Sequence, residues 1–302
     1  MKNAIKVICF VLAFIILGTA GTWVYFKWDK GEYEFYDGTD RGTVIISGYK
    51  GESKDVVIPK RLRGKKVVRI DDGAFKKTEI TSVKIGANIT AIGKSAFLQC
   101  EKLKTVELDE GVRAIGDSAF SECTSLESIS IPSTLEKIGD GVFLKTAIKD
   151  LDFSKNENFV NDNGIIYNKD KTQLIFTLSN VDLTNFVCPD TVTMIESYAF
   201  YGHSEMKSVK LSSKLQKISS ALFLDCTGLK QLSVPESVVS IDMIAFSNCG
   251  LERVYIPSQV KKIEKGAFMQ AEDKITIVTP AGSSAEKFAK QYNIKVENGN
   301  SL

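Results

Sequence analysis

The sequence predicts an elongated, strand-rich solenoid of stacked repeats. Eight phenylalanines recur at a spacing of 22 or 23 residues, apart from one interval of 57. An isoleucine precedes each of them by five residues, so two registers stay locked along the chain. One copy cannot bury its own apolar face, and neighbouring copies must therefore stack to build a shared core. The repeated phenylalanines are Phe75, Phe97, Phe120, Phe143, Phe200, Phe223, Phe246 and Phe268.

Residues 1–30 predict a transmembrane anchor or a signal peptide. Residues 7–26 carry no charge, and twenty residues of helix can cross about 30 Å of hydrocarbon. Lys2 and Lys6 precede this run, which places the N-terminus in the cytoplasm and the body outside. The alternative is a signal peptide that is cleaved after the Gly-Thr-Ala of residues 18–20. Both interpretations put the rest of the chain outside the cytoplasm.

Residues 31–69 predict an N-terminal β cap. Three β-branched runs, at 43–46, 56–58 and 67–70, are separated by glycine-containing turns, which is typical of short strands. A solenoid needs an atypical element to cover its open end. We therefore expect the repeats to begin behind this cap and to occupy residues 70–279.

Each copy predicts a short strand followed by a turn. Leu103, Val106 and Leu108 end in the alternation of a half-buried strand, whereas the Ala-Phe segment is too short for more than a turn. Prolines follow three of the equivalent strands and end their pairing. Equivalent strands of successive copies should lie parallel, about 4.8 Å apart, in one continuous sheet.

The apolar positions follow the pattern I-x-x-x-A-F-x-x-C-x-x-L-x-x-V-x-I-P-x-x-V-x-x-I, as residues 92–115 illustrate. This pattern resembles that of the BspA-type bacterial surface leucine-rich repeat family. The resemblance extends over residues 70–279, and residues 46–59 are similar to the N-terminal cap of that family. It implies a leucine-rich repeat solenoid at the cell surface, with roles such as adhesion to host or neighbouring cells.

The interval of 57 residues between Phe143 and Phe200 predicts an insertion near residues 154–191. Within it, two apolar runs at 164–167 and 173–176 flank a polar turn and predict a β-hairpin. The same hairpin is usual in the family that the sequence resembles. The hairpin either decorates one face or splices two blocks of repeats, and we favour the splice.

Residues 280–302 predict a C-terminal cap. Ser283 and Glu286 have the spacing of a capping box, which predicts the start of a helix. Residues 294–296 predict a last strand. The amphipathic helix can cover the open end of the stack, with one apolar face formed by Ala285, Phe288, Ala289 and Tyr292.

Few residues point to chemistry. His203 is the only histidine, and its repeat position holds a cysteine in other copies, so we interpret it as a core residue rather than a general base. Two alternatives remain open: His203, Cys226 and Cys249 could stack as metal ligands, and Cys100 with Cys123, or Cys226 with Cys249, could form a disulfide. No CxxC, G-x-S-x-G or phosphate-binding loop occurs. The sequence therefore predicts no enzyme, no cofactor and no metal site.

The charge balance argues against a nucleic-acid partner. The chain has 39 basic and 37 acidic residues, and Lys2 and Lys6 lie before the apolar run. The rest of the chain is thus neutral, whereas a nucleic-acid binder needs a basic face that displaces counterions from phosphates.

The outward side chains of the strands form the candidate binding surface, because solenoids use such rows to bind extended ligands. Asp150 and Asp152 have outward positions in the copy before the insertion. Arg253 and Tyr255 are the only pair rich in residue types typical of binding hot spots. The predicted contact residues are Thr105, Glu107, Ser128, Ser130, Ser208, Lys210, Gln231, Ser233, Arg253 and Tyr255.

These features predict a non-catalytic, cell-surface binding scaffold. Its ligand would be a protein or a glycan on host or neighbouring cells, and its membrane attachment would be residues 7–26 unless cleavage releases it. The alternative function is a structural spacer of the envelope that has no specific ligand.

Overall fold

The computed structural model describes residues 31–302. This part of the chain is a strand-rich solenoid with one short helix near its C-terminus, which confirms the predicted fold class. Within residues 31–302 no helix has the length and apolar character needed to cross a membrane. The predicted anchor over residues 7–26 lies outside the described range.

The N-terminal cap consists of short strands that continue into two sheets of the repeats. Strand β1 runs antiparallel to β2, and β2 runs parallel to β5. The ring of Tyr49 stacks on Phe75 with 5.1 Å between centroids, so the cap covers the first copy of the core. The strands of this cap are β1 (Tyr33–Asp37), β2 (Thr43–Tyr49), β3 (Asp55–Val57), β4 (Arg61–Leu62) and β5 (Lys65–Ile70).

Each copy of the first block contributes two strands, where one was predicted. The first block therefore has two ladders, in the orders β1-β2-β5-β7-β9-β11 and β3-β6-β8-β10, rather than one continuous sheet. All neighbours in these orders are parallel except β1 and β2. The extra ladder forms at the repeated isoleucine and is only two residues wide. These strands are β6 (Ser82–Ile85), β7 (Ala91–Ile92), β8 (Thr105–Leu108), β9 (Ala114–Ile115), β10 (Ser128–Ile129) and β11 (Lys137–Ile138).

The repeated phenylalanines stack in the core. In the first block the ring centroids of successive copies are 4.9, 5.1 and 5.9 Å apart from Phe75 to Phe143, and the rings are close to parallel. These distances suit offset stacking of aromatic rings. A similar stack runs from Phe200 to Phe268 in the second block.

The insertion forms the predicted hairpin and splices two blocks of repeats. Strands β12, β13 and β14 are antiparallel neighbours, and β14 then pairs in parallel with β16 of the second block. The buried apolar residues accordingly fall into two core clusters that meet at this hairpin. The strands here are β12 (Phe159–Asp162), β13 (Ile165–Asn168), β14 (Gln173–Thr177), β15 (Asn185–Val187) and β16 (Met194–Ile195).

The second block repeats the two-ladder arrangement and ends in a cap. Ser283 caps helix α1 (Ser284–Gln291) by accepting a hydrogen bond from the Glu286 amide, 3.0 Å away, as the capping-box spacing predicts. Phe288 of this helix packs on Phe268. The strands are β17 (Ser208–Lys210), β18 (Lys217–Ile218), β19 (Gln231–Ser233), β20 (Ser240–Ile241), β21 (Arg253–Tyr255), β22 (Lys262–Ile263), β23 (Thr276–Thr279) and β24 (Lys295–Asn298).

The Ala-Phe turns form a third ladder along the solenoid. The amide of Phe97 donates to the carbonyl of Ala119 at 2.8 Å, and Phe223 donates to Ala245 in the same way. The residue two positions before each phenylalanine has a positive φ, between 52° and 82°. Glycine is the residue best suited to this conformation. The eight residues are Gly73, Ser95, Ser118, Gly141, Tyr198, Ala221, Ile244 and Gly266.

We expect Ile244→Gly to stabilise the protein. Ile244 is β-branched and has φ +52°, a conformation that costs an L-residue about 1–2 kcal/mol. Part of this gain is offset by the flexibility of glycine in the unfolded chain, so the free energy of unfolding should rise by about 0.5–1 kcal/mol. Urea denaturation measures this change, and the reverse substitution Gly266→Ile should lower stability. A fall in stability of Ile244→Gly would contradict this assignment.

Candidate functional site

A polar face runs along the strands β6, β8 and β10 of the first block and β17, β19 and β21 of the second. Along these strands buried apolar residues alternate with exposed polar ones; in β8, for example, Val106 and Leu108 are buried while Thr105 and Glu107 are exposed. Eight of the ten predicted contact residues are exposed here, namely Thr105, Glu107, Ser128, Ser130, Ser208, Lys210, Gln231 and Ser233.

Neighbouring copies are linked across this face by polar contacts. Lys84 Nζ lies 2.8 Å from Glu107 Oε2, and the hydroxyl of Ser208 donates to Asn185 Oδ1 at 2.7 Å. Arg253 is half-buried and its Nη1 lies 2.9 Å from Glu297 Oε2 of the last strand. The face is therefore mixed in charge, and several of its side chains already have a protein partner.

Tyr255 corrects the predicted surface. It was expected to point outward, but its side chain is only 7% exposed. Strand β21 lies between β19 and β23, with Val278 beside Tyr255, and the tyrosine hydroxyl donates to Glu236 Oε1 at 3.0 Å. Tyr255 is thus a packing residue at the C-terminal end, and the Arg253–Tyr255 pair is not an exposed hot spot.

The polar face is interrupted at the junction of the two blocks. Strand β10 ends one sheet and β15 begins the next, and residues 149–154 between them form no strand. An open cleft of about 710 Å³ occupies this interruption, and we call it the junction cleft. Its polar lining includes Lys149, Asp150, Asp152, Asn161, Lys169 and Asp182. Asp150 and Asp152 continue the outward row, so the cleft lies within the predicted face.

Backbone amides fix the three carboxylates of the junction cleft. Asp150 Oδ1 accepts from the amide of Leu151 at 2.9 Å, and Asp152 Oδ1 accepts from that of Ser154 at 2.8 Å. Asp182 Oδ1 accepts from the amide of the residue two positions further on, also at 2.9 Å. These amide hydrogen bonds all fall on Oδ1, and the three carboxylates are exposed, so a ligand can reach them.

Two carboxylates of the junction cleft, those of Asp152 and Asp182, are ionised at neutral pH. Hydrogen bonds from Ser154 hold the pKa of Asp152 below its usual value, and those from Thr184 do the same for Asp182. Lys149 and Lys169 also line the cleft and partly balance the negative charge. The cleft therefore presents fixed acceptors together with cationic donors, which suits a ligand rich in hydrogen-bond donors and acceptors.

Asparagines of the insertion support this cleft. Asn161 donates to Asp150 Oδ1 at 3.1 Å and to the Leu151 carbonyl at 2.9 Å, and its own Oδ1 accepts from the Gly164 amide at 2.7 Å. Asn180 donates to the Lys149 carbonyl. Sequence reasoning missed Asn161, Asn180 and Asp182 because the insertion has no repeat register. In the sequence, only the abundance of polar residues in the insertion pointed to these three residues.

His203 and the repeat cysteines are core residues. The ring of His203 is buried between two partners, with Nε2 2.7 Å from Thr177 Oγ1 and Nδ1 2.8 Å from Glu205 Oε1. The thiols of Cys226 and Cys249 donate to backbone carbonyls, and the cysteines within residues 31–302 are free rather than paired. In the same range no three side chains of histidine, cysteine, aspartate or glutamate are grouped as a metal site would require.

The stacked turns and their outward polar row define a leucine-rich repeat scaffold. The family model described as the BspA type leucine rich repeat region matches residues 51–172 and 175–277, in six copies. The chain belongs to this family of bacterial leucine-rich repeat surface proteins, and its fold is consistent with a scaffold or binding role. Solenoids of this family are typically binding scaffolds without catalytic activity.

Solved structures share the fold. The pneumococcal vaccine antigen PcpA is 17% identical, with a TM-score of 0.61, and the match covers 89% of this chain and 96% of that one. A leucine-rich repeat protein from Eubacterium ventriosum is 20% identical, with a TM-score of 0.50, over 80% of this chain and 75% of that one. At these identities the likeness concerns the fold alone. No curated protein matches the chain.

Proposed function

We propose that the protein is a non-catalytic binding scaffold of the cell surface, whose polar face binds a protein or glycan on host or neighbouring cells. The observation that carries this proposal is the junction cleft in the middle of the polar face. Three carboxylates there are held by backbone amides through Oδ1 and are exposed to a ligand. A preorganised row of acceptors loses little conformational entropy when a ligand binds.

Two further features support a binding role. The outward row has exposed polar side chains on both sides of the junction cleft, from Thr105 to Ser233. A ligand larger than the cleft can therefore also contact the polar face beside it. Membership of a family of bacterial surface proteins supports the same location for this chain. Adhesion is one use of such a face.

An array of extracellular-matrix proteins and of mammalian and bacterial glycans tests this function on residues 31–302. We expect Asp152→Asn together with Asp182→Asn to weaken binding to the strongest protein or charged-glycan ligand about tenfold, because both fixed negative charges are lost without a change in size. The matched control, Asp170→Asn with Asp273→Asn, removes two exposed carboxylates outside the cleft and should bind as the wild type does.

Two results would contradict this function. Equal binding by the cleft variant and the wild type would place the ligand elsewhere on the molecule. If no ligand on the array binds, the alternative function, a structural spacer of the envelope, is favoured. A spacer depends on its length and stiffness and needs no binding partner.

We propose in addition that residues 7–26 tether the body outside the cytoplasm. The uncharged run and the lysines before it support this orientation. Intact mass and N-terminal sequencing of protein from the native membrane fraction test the tether. A chain that retains residues 7–26 is the expected result, whereas a start near Gly21 would mean release after cleavage.

A further inference from the structure

A second cleft opens in the ladder of Ala-Phe turns. It has a volume of about 310 Å³ and lies where the copy of Phe143 is followed by the copy of Phe200. The cleft is lined by Leu144 and Lys145 of the first copy and by Tyr198 and Tyr201 of the second. We call it the tyrosine cleft. Its size lies at the lower end of the range of small-molecule sites, about 300–1,000 Å³.

Tyr198 occupies a backbone position that is unfavourable for it. Its φ is +64°, and in three other copies the equivalent residue is a glycine. Glycine at one of these positions, Gly141, leaves room for the ring: a Cβ atom there would lie 3.4 Å from Tyr198 Cδ2 and 2.9 Å from the Leu144 side chain. Among the eight residues at this repeat position only Tyr198 is aromatic, and its side chain lines the cleft.

Tyr201 supplies a second aromatic ring beside a balanced pair of charges. Lys145 Nζ lies 6.0 Å from the Tyr201 ring centroid and 4.0 Å from Glu122 Oε1. Gln99 donates to the other oxygen of Glu122 at 2.9 Å. Burial raises the pKa of Tyr201, so its hydroxyl stays protonated and can donate. The cleft therefore combines flat aromatic faces, hydrogen-bonding groups and no net charge among these residues.

The cleft also leaves a backbone donor without its usual acceptor. In the first block the amide of Glu122 donates to the carbonyl of Leu144 at 2.8 Å, and in the second block Asp225 donates to Ser247 in the same way. The equivalent amide of Lys145 has no acceptor among residues 31–302, because the ladder is interrupted there. Such a donor needs water or a ligand.

We propose that the tyrosine cleft binds a neutral carbohydrate. A pyranose ring has an apolar face of C–H groups that packs on tyrosine, while its rim of hydroxyls both donates and accepts hydrogen bonds. Tyr198 and Tyr201 provide the packing surface, and the Lys145 amide, the Glu122 carboxylate and the tyrosine hydroxyls provide partners for the rim. The paired charges of Lys145 and Glu122 favour a neutral sugar over an acidic one.

An array of neutral oligosaccharides built from hexoses and N-acetylhexosamines, with sialylated and sulfated ones for comparison, is the first test on residues 31–302. The strongest neutral sugar is then titrated. Tyrosine fluorescence serves as the signal, because both tryptophans precede residue 31. We expect binding of neutral sugars, and a Kd at least about tenfold weaker in Tyr198→Gly and in Tyr201→Ala.

The variant Tyr198→Gly separates a binding role from a structural one. It relieves the positive φ, so the urea midpoint should stay the same or rise while binding is lost. Ile244→Gly is the matched control, because it makes the same type of change at the same repeat position away from the cleft, and it should bind as the wild type does. The junction-cleft variant, Asp152→Asn with Asp182→Asn, should also keep sugar binding.

Three results would overturn the carbohydrate site. They are the absence of any neutral sugar ligand, binding of acidic glycans alone, and an unchanged Kd in Tyr198→Gly. Each of them leaves the function proposed for the polar face intact, because that function depends on the junction cleft.

Discussion

Replacement of Phe120 by alanine should lower the free energy of unfolding by about 3–5 kcal/mol. The side chain is fully buried, and its ring stacks on Phe97 at 5.1 Å and on Phe143 at 5.9 Å. The alanine variant loses buried apolar area and both ring contacts, and it leaves a cavity between two copies. Chemical denaturation of residues 31–302 measures the loss.

Two milder substitutions serve as controls for the predicted loss of stability in Phe120→Ala. Phe120→Leu keeps most of the buried volume and should cost less than Phe120→Ala. Phe143→Ala should also cost less, because Phe143 is only partly buried and its neighbour across the junction, Phe176, meets it edge-on. A loss below 1 kcal/mol in Phe120→Ala would contradict the central place of this ring in the core.

Replacement of Asn156 by alanine should cost about 2–4 kcal/mol. Asn156 is buried, and its Nδ2 group donates to the carbonyls of Pro132 and Leu135, both at 3.0 Å. Its Oδ1 accepts from the amides of Asn158 and Phe159 at 2.8 and 3.0 Å. Alanine leaves these buried backbone groups without partners, so the attachment of the insertion to the first block is weakened.

Asn158 offers the matched control for this attachment. It donates to the same Leu135 carbonyl at 2.9 Å but is exposed, so water can replace its side chain and Asn158→Ala should cost less than 1 kcal/mol. Hydrogen exchange should then locate the damage of Asn156→Ala in the insertion and around residues 132–135. Equal losses in the two variants would contradict the role of buried Asn156 in attaching the insertion to the first block.

The repeats themselves could be predicted from the sequence because each copy restates the same apolar positions. The locked spacing of isoleucine and phenylalanine identified the stack, and the Ser283–Glu286 spacing identified the last helix. The second ladder was missed because strands such as Ala91–Ile92 are too short to show alternation. Such a strand exists only through its pairing with neighbouring copies.

The two clefts could not be predicted, because both arise where the repetition fails. The junction cleft depends on contacts between the insertion and the first block, such as Asn180 with Lys149, which are 31 residues apart. The tyrosine cleft depends on the positive φ of Tyr198, which a tyrosine in a sequence does not indicate. Tyr255 was misplaced for a related reason: alternation alone does not reveal that packing near the C-terminal end covers an outward position.

The most direct test of the binding face is an arginine scan along its outward row. Thr105, Ser128, Asp152, Ser208 and Gln231 are each replaced by arginine, and the Kd for the strongest protein or charged-glycan ligand is measured for every variant. If the junction cleft is the centre of binding, the loss of affinity peaks at Asp152 and declines toward Thr105 on one side and Gln231 on the other. A flat profile, or a maximum at either end, would contradict that account.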